Sequence, residues 1–344
     1  TKTYGGSAGD IFSWITPATD GGYIIAGATT SSDGDVSGQH GRDDAWLMKI
    51  DENGNTLWQK AMGGSSQDVF TSVIPSNDGG YIAVGNTTST DGDATGRPLR
   101  STDVWVVKTD AAGDKVWAKY YGGSGFDHAV SVVAGPGGGY AVCGLTRSND
   151  GDVSGNHGGF ADVWVFKKDE AGGKQWQKTL GTSDADQGFS ITAAGDGYVV
   201  LGSVAGNDGD VTANHGMNDY WLVKLDASGG KVWQKTYGGS GSDAPYVLKA
   251  SSDGGYILCG SSNSTDGDLT GNKGGLDLWM LKVDAGGGKV WSKTFGGASD
   301  DYAKSFIPTP DNGYLIAGYS KSNDADVSGN HGDWDGWLVR INVQ

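Results

Sequence analysis

Cysteine is nearly absent, two in 344 residues, and basic residues are scarce, 25 Lys and Arg against 41 Asp and Glu. No apolar run approaches the roughly 18 residues that a helix needs to cross a bilayer, so insertion into a membrane is not expected. The formal net charge of −16 repels phosphate backbones and anionic membrane surfaces. That excludes nucleic acid as a partner and favours cations. Neither cysteine reads as a catalytic thiol. Cys143 and Cys259 stand in "GYAVCG" and "GYILCG", where equivalent stretches carry Ala26, Val84, Leu201 and Ala317. Both are therefore expected to be buried and unpaired. The chain opens "TKTYGGSAGD", without Met or an apolar signal region, so an export signal is expected to have been removed already.

What the chain has in quantity is glycine, 62 residues, with 13 Trp and 14 Tyr. So many glycines call for many turns, and so many aromatics argue against disorder. Tyr23, Tyr81, Tyr140, Tyr198, Tyr256 and Tyr314 each open a "GYxxxG" stretch, at a period of 58 or 59 residues. Each copy then carries Asp-x-Trp, ending at Trp46, Trp105, Trp164, Trp221, Trp279 and Trp337, and five copies add a second Trp twelve residues on. Six copies of one unit define a repeat architecture.

Each unit contains four alternating apolar runs separated by short Gly-containing turns, as in "VFTSVIP", "YIAVGNTT", "VWVVKTD" and "KVWAKYY". These are hairpin signals. Four antiparallel strands repeated six times predict an all-β, six-bladed β-propeller occupying residues 1–344 as a single domain, with a β-solenoid as the alternative. The chain ends on "GWLVRINVQ", a third strand, and begins with "TKTYGG", which matches "QKTYGG" at the end of a fourth strand. Residues 1–4 are thus expected to complete the sixth blade and close the ring.

Strand alternation puts the "DGGY" and "DAxG" turns at one end of each blade and the acidic loops at the other. Four repeated Asp per unit place 24 of the 41 acidic residues there. In "DGDVSGNHGG" (150–159), Asp150, Asp152 and Ser154 alternate before Gly155. That is the order of oxygen ligands and the sharp turn in the first half of an EF-hand loop, and hard oxygens suit Ca²⁺. The candidate ligands by copy are Asp33, Asp35, Ser37 and Asp44; Asp91, Asp93, Thr95 and Asp103; Asp150, Asp152, Ser154 and Asp162. The later copies supply Asp208, Asp210, Thr212 and Asp219; Asp266, Asp268, Thr270 and Asp277; Asp324, Asp326, Ser328 and Asp335. The same side chains also cap turns by accepting from nearby N–H groups, and that reading stays open. His40, His157, His215 and His331 recur in these loops but belong to different blades, which argues for packing rather than zinc.

The "DxDxSG" runs resemble the short calcium loops of integrin-type propellers and dockerins. They lack flanking helices and carry Asp where those loops end in Glu. The whole unit resembles secreted or surface repeat proteins of bacteria, especially those exported with C-terminal sorting tags. That resemblance implies a secreted or cell-surface location and leaves activity open.

Positions that break the six-fold pattern are the candidates for specificity. Residues two and four beyond the Asp of each first strand are expected at the channel mouth, and there the first copy has Phe12 and Trp14, the second Phe70. His128, Tyr302, Arg42, Arg97, Arg100 and Trp334 are further one-copy departures. Aromatic platforms rimmed by polar groups hold sugars and small amphipathic ligands. The reading is a non-enzymatic extracellular binding or adhesion module, calcium-stabilised, for a glycan or surface partner. A carbohydrate-active enzyme and a structural spacer are the alternatives. Hydrolases need two carboxylates in unlike surroundings, and almost every acidic residue here is one of six. No catalytic residue stands out.

Overall fold

The structure is a computed structural model that describes residues 1–98 and 101–342. It contains β-strands and one 3₁₀ turn at Gly92–Ala94. The first blade is β1 (Asp10–Pro17), β2 (Tyr23–Thr29), β3 (Asp44–Ile50) and β4 (Thr56–Met62). The second is β5 (Asp68–Pro75), β6 (Tyr81–Thr87), β7 (Asp103–Thr109) and β8 (Lys115–Tyr121). The third is β9 (Asp127–Ala134), β10 (Tyr140–Thr146), β11 (Asp162–Lys168) and β12 (Lys174–Leu180). The fourth is β13 (Gln187–Ala194), β14 (Gly197–Val204), β15 (Asp219–Leu225) and β16 (Lys231–Tyr237). The fifth is β17 (Asp243–Ala250), β18 (Tyr256–Ser262), β19 (Asp277–Val283) and β20 (Lys289–Phe295), and the sixth is β21 (Asp301–Pro308), β22 (Tyr314–Ser320) and β23 (Asp335–Ile341).

Strands pair in chain order within each sheet, giving five four-stranded antiparallel sheets and a sixth of three strands. These are the blades of a six-bladed β-propeller. Two compact units divide the chain, residues 1–156 with 164–179 and residues 157–163 with 180–344.

The repeated motifs have direct steric reasons. The last Gly of "GYxxxG" lies across from the Asp-x-Trp tryptophan: Gly27 pairs with Trp46, Gly85 with Trp105, Gly202 with Trp221 and Gly260 with Trp279. A β-carbon on Gly27, Gly85 or Gly144 would overlap the carbonyl oxygen of Ile11, Val69 or His128 on the adjoining first strand. Each first strand also carries a register shift here, as between Phe70 and Ser72. The extra residue of such a bulge brings the two backbones close, and only Gly fits. Gly85→Ala should therefore lower stability by about 1–3 kcal/mol as an overpacking change, read as a lower urea midpoint with an unchanged slope. An unaltered midpoint would remove this account of the motif. The facing tryptophans are fully buried, and Trp46, Trp164 and Trp221 donate Nε1–H to Gln59, Gln177 and Gln234 at 2.9, 3.1 and 2.8 Å.

The cores form where one blade's second and third strands meet the next blade's first. Ala26 and Leu47 pack with Phe70 and Val73, and Cys259 and Met280 pack with Ala303 and Phe306. Both cysteines are buried and free, as expected. The terminal blades depart from this rule. Ile15 is 57% exposed although its counterparts Val73 and Phe306 are at 0% and 2%, and Leu338 is 68% exposed although Leu47 and Met280 are fully buried. Residues 1–4 lie outside any strand. Lys2 Nζ and Tyr4 Oη bond the Gly54 carbonyl at 3.0 and 2.6 Å, as Tyr121 bonds Gly172 and Tyr237 bonds Gly287. The N-terminal segment thus meets the first blade as a fourth strand meets the blade that follows it. No fourth strand accompanies β23 among the described residues.

Candidate functional site

The acidic loops are fastened to the backbone. The first Asp of five of the six loops accepts the N–H that follows a Gly-Gly pair, as Ser7 to Asp33 at 2.7 Å, Ser65 to Asp91 at 2.8 Å, Ser124 to Asp150 at 2.7 Å and Ala298 to Asp324 at 2.8 Å. In the fourth, Ser183 follows Gly-Thr and donates to Asp208 at 2.8 Å. These bonds hold the Asp33, Asp91 and Asp266 carboxyls below their usual range. The second Asp accepts from a glycine, as Gly5 to Asp35 at 3.1 Å, and Lys115, Lys231 and Lys289 pair with Asp93, Asp210 and Asp268. At the third ligand position, Ser37, Ser154 and Thr212 receive the amides of Gln59, Gln177 and Gln234 at 2.7, 2.7 and 3.0 Å, while Thr95 donates to the Gly92 carbonyl. These oxygens turn towards protein donors. Among the described residues no three His, Cys, Asp or Glu groups are placed to hold a metal ion. In this structure the loop has the form of capped turns.

The last Asp of the first five loops is buried, whereas Asp335 of the sixth is partly exposed. Asp44, Asp162 and Asp219 each accept the backbone N–H and ring Nδ1 of His40, His157 and His215, with ring distances of 2.8, 2.7 and 2.6 Å. The histidines are therefore loop fasteners. Their partners' other oxygens, Oδ1 of Asp44, Asp162 and Asp219, are buried without a hydrogen bond, and burial raises all three carboxyls. A second buried carboxylate stands beside each, so that Asp68 adds to the rise at Asp44 and Asp301 to that at Asp277. In the fifth blade Lys273 replaces the histidine, its Nζ goes to Asp326 instead, and burial pushes Asp277 up to about 6. Asp186 is likewise pushed up to about 6 by burial. In the second blade Arg97 supplies the charge: its Nε lies 2.8 Å from Asp103 Oδ2, with both side chains buried.

In the second to sixth blades the Asp at the head of the first strand is buried, which corrects the expected orientation there, while Asp10 of the first blade is only half-buried. Asp68 accepts from Gly64 N–H at 2.8 Å and Ser89 Oγ–H at 2.7 Å. Residues two and four beyond it share its buried face, whereas residues one and three beyond are the partly exposed ones. Phe70 therefore stacks on Trp105 at 5.4 Å between centroids and is fully buried, whereas Phe12 stacks on Trp46 at 5.1 Å and stays 41% exposed, and Trp14 packs against the core. Arg97 is a buried ion-pair partner rather than a ligand contact. Arg42 is exposed. His128 stacks on Phe126 at 5.9 Å, and burial lowers its pKa. Arg100 lies outside the described residues.

Two candidates do come together. Tyr302 and Trp334 lie 5.6 Å apart, and Tyr319 completes the group at 5.0 and 4.9 Å from them. Lys304 Nζ lies 3.6 Å from the Tyr246 ring and 5.3 Å from that of Tyr319, and Lys321 lies 4.6 Å from Trp334. Trp334 is 40% exposed. Gly336 stands where other copies carry Ala45, Val104, Val163, Tyr220 or Leu278, and nothing lies within 4 Å of where its β-carbon would be. The open side of the cluster follows from that missing side chain. Tyr319 was available to the repeat comparison, since its counterparts are Ala28, Asn86, Leu145, Ser203 and Ser261. Tyr246 and Lys304 escaped it because the strand face was assigned the wrong way round.

Comparison with known proteins supports the fold. No protein-family profile matches the chain. It is 24% identical over 387 aligned positions to the regulatory protein FlaEY of Caulobacter vibrioides, covering all of this chain and 40% of that protein's length. The WD40 domain of Neurospora crassa Pan2 superposes with a TM-score of 0.51 at 11% identity, over 89% of this chain and 75% of that one. WD40 repeats are propeller blades, and at this identity the likeness concerns the fold alone.

Proposed function

We propose that this chain is a non-enzymatic extracellular binding module that recognises a glycan through the Tyr302, Tyr319 and Trp334 cluster of its sixth blade. The observation that carries the reading is three mutually packed rings left partly open to solvent in one blade, with no equivalent in the other five among the described residues. Sugar rings present C–H faces that lie against indole and phenol rings, while their hydroxyls bond neighbouring polar groups. A hydrolytic reading finds less support. Asp186 and Asp277, the carboxyls pushed up to about 6, are at most 1% exposed.

Glycan-array screening followed by titration tests this reading. Trp334→Ala combined with Tyr302→Ala should weaken binding of the best glycan about ten-fold or more, in keeping with the loss of one to two stacking contacts. Phe12→Ala should leave binding unchanged. Calcium belongs to the same test: with the loop oxygens engaged by protein donors, excess chelator should alter neither affinity nor Tm. A fall of several degrees in chelator would restore the calcium loops. Glycan binding indifferent to the double substitution would sink the proposed site.

A further inference from the structure

At the hairpin-turn end of the fifth and sixth blades lies a cavity of about 690 Å³, walled by Ile257, Trp291, Phe306 and Tyr314. We infer that this cavity, at the other end of the strands from the acidic loops, binds a small organic anion, a carboxylate carried on a flat apolar body. Lys249 lines it, and the five counterparts of Lys249 are Thr16, Ile74, Val133, Thr192 and Ile307. Its ammonium lies 5.3 Å from the Phe306 ring and has no hydrogen bond or ion pair among the described residues. A partly desolvated cation without an anionic partner is costly, and burial lowers its pKa. The other charges of the lining cancel, because Lys282 Nζ lies 2.6 Å from Asp253 Oδ2. The cavity therefore carries one net positive charge in a chain of net charge −16.

The second and third blades show what occupies the same junction when the protein fills it itself. There the cavity is about 230 Å³, and Ile74 takes the place of Lys249. The Glu170 carboxylate reaches in, accepting from Gly139 N–H at 3.1 Å and from Asn77 Nδ2–H at 3.0 Å. Gly313 is the counterpart of Gly139, and its N–H has no partner among the described residues. It lines the larger cavity together with Lys249. One free cation and one free N–H thus stand where the related junction holds a carboxylate, beside aromatic walls that take an apolar body.

Titration of the intact protein with 2-naphthoate, benzoate and octanoate, each beside its neutral amide, tests the inference through Trp291 fluorescence and calorimetry. At least one acid should bind saturably and ten-fold or more tighter than its amide. Lys249→Met should abolish that preference while leaving glycan binding intact. In the unsubstituted protein the preference should shrink as the pH rises into the alkaline range, a readout that holds even if Lys249→Met folds poorly. Equal binding of acid and amide, indifference to Lys249→Met, or no saturable binding of any of the three acids would overturn it.

Discussion

Replacing Arg97 with Met should cost about 3–5 kcal/mol of stability, because it leaves the Asp103 carboxylate buried without its cation. Both side chains are at most 2% exposed, with Nε and Oδ2 2.8 Å apart. Arg97 also donates Nη1–H to the Thr88 carbonyl at 3.3 Å and Nη2–H to that of Ser101, tying the long loop across the end of its own sheet. The double variant Arg97→Met, Asp103→Asn should recover much of the loss, since it removes the stranded charge as well. Urea unfolding of the two singles and the double gives the coupling. A single Arg97→Met variant within about 1 kcal/mol of the parent would show that the pair is not structural.

Acidification from pH 8 to about 5 should raise Tm, by about 5 °C as an order of magnitude. Burial pushes Asp186 and Asp277 up to about 6, and raises Asp44, Asp127, Asp162, Asp219 and Asp243. A carboxyl whose folded pKa exceeds its unfolded value near 3.9 takes up a proton more readily when folded. Its contribution is fully present below the unfolded value and is lost as pH rises through the folded one. His128 and Lys168 oppose this trend, since burial lowers both pKa values, that of Lys168 to about 8, and so favours the fold at higher pH. They are two groups against seven. Below pH 4 the sign reverses. The Lys108 and Lys282 ammonium groups hold Asp78 and Asp253 down to about 2, and what these pairs contribute is lost as pH falls through that value. The profile should therefore peak between about pH 4 and 6. Asp277→Asn should flatten its neutral limb. A Tm that climbs steadily from pH 5 to 8 would show that the buried carboxyls are not what limits stability.

The propeller was legible because its signal is redundant. Six copies each of a Gly that must meet a carbonyl and a Trp that covers it, joined by Gly-containing turns, leave little freedom in how a unit folds. The site was less legible, and the failures have one cause. Placing Phe70 at the channel mouth required knowing which face of the first strand is buried. Period-two alternation says which residues share a face without saying which face meets protein.

Sequence by itself determined the repeat, the four strands of a blade, the end at which the acidic loops gather and the burial of both cysteines, all of which follow from local sterics and periodicity. Only tertiary structure decided where the carboxylates point. Asp44 and Asp68 are 24 positions apart in the chain, and nothing local states that they stand side by side. Nor does a motif of oxygen donors reveal whether its lone pairs face a cation or the N–H groups of the linker before it. The same holds for Lys249, an unremarked residue in sequence, whose surroundings come from the blade that follows it.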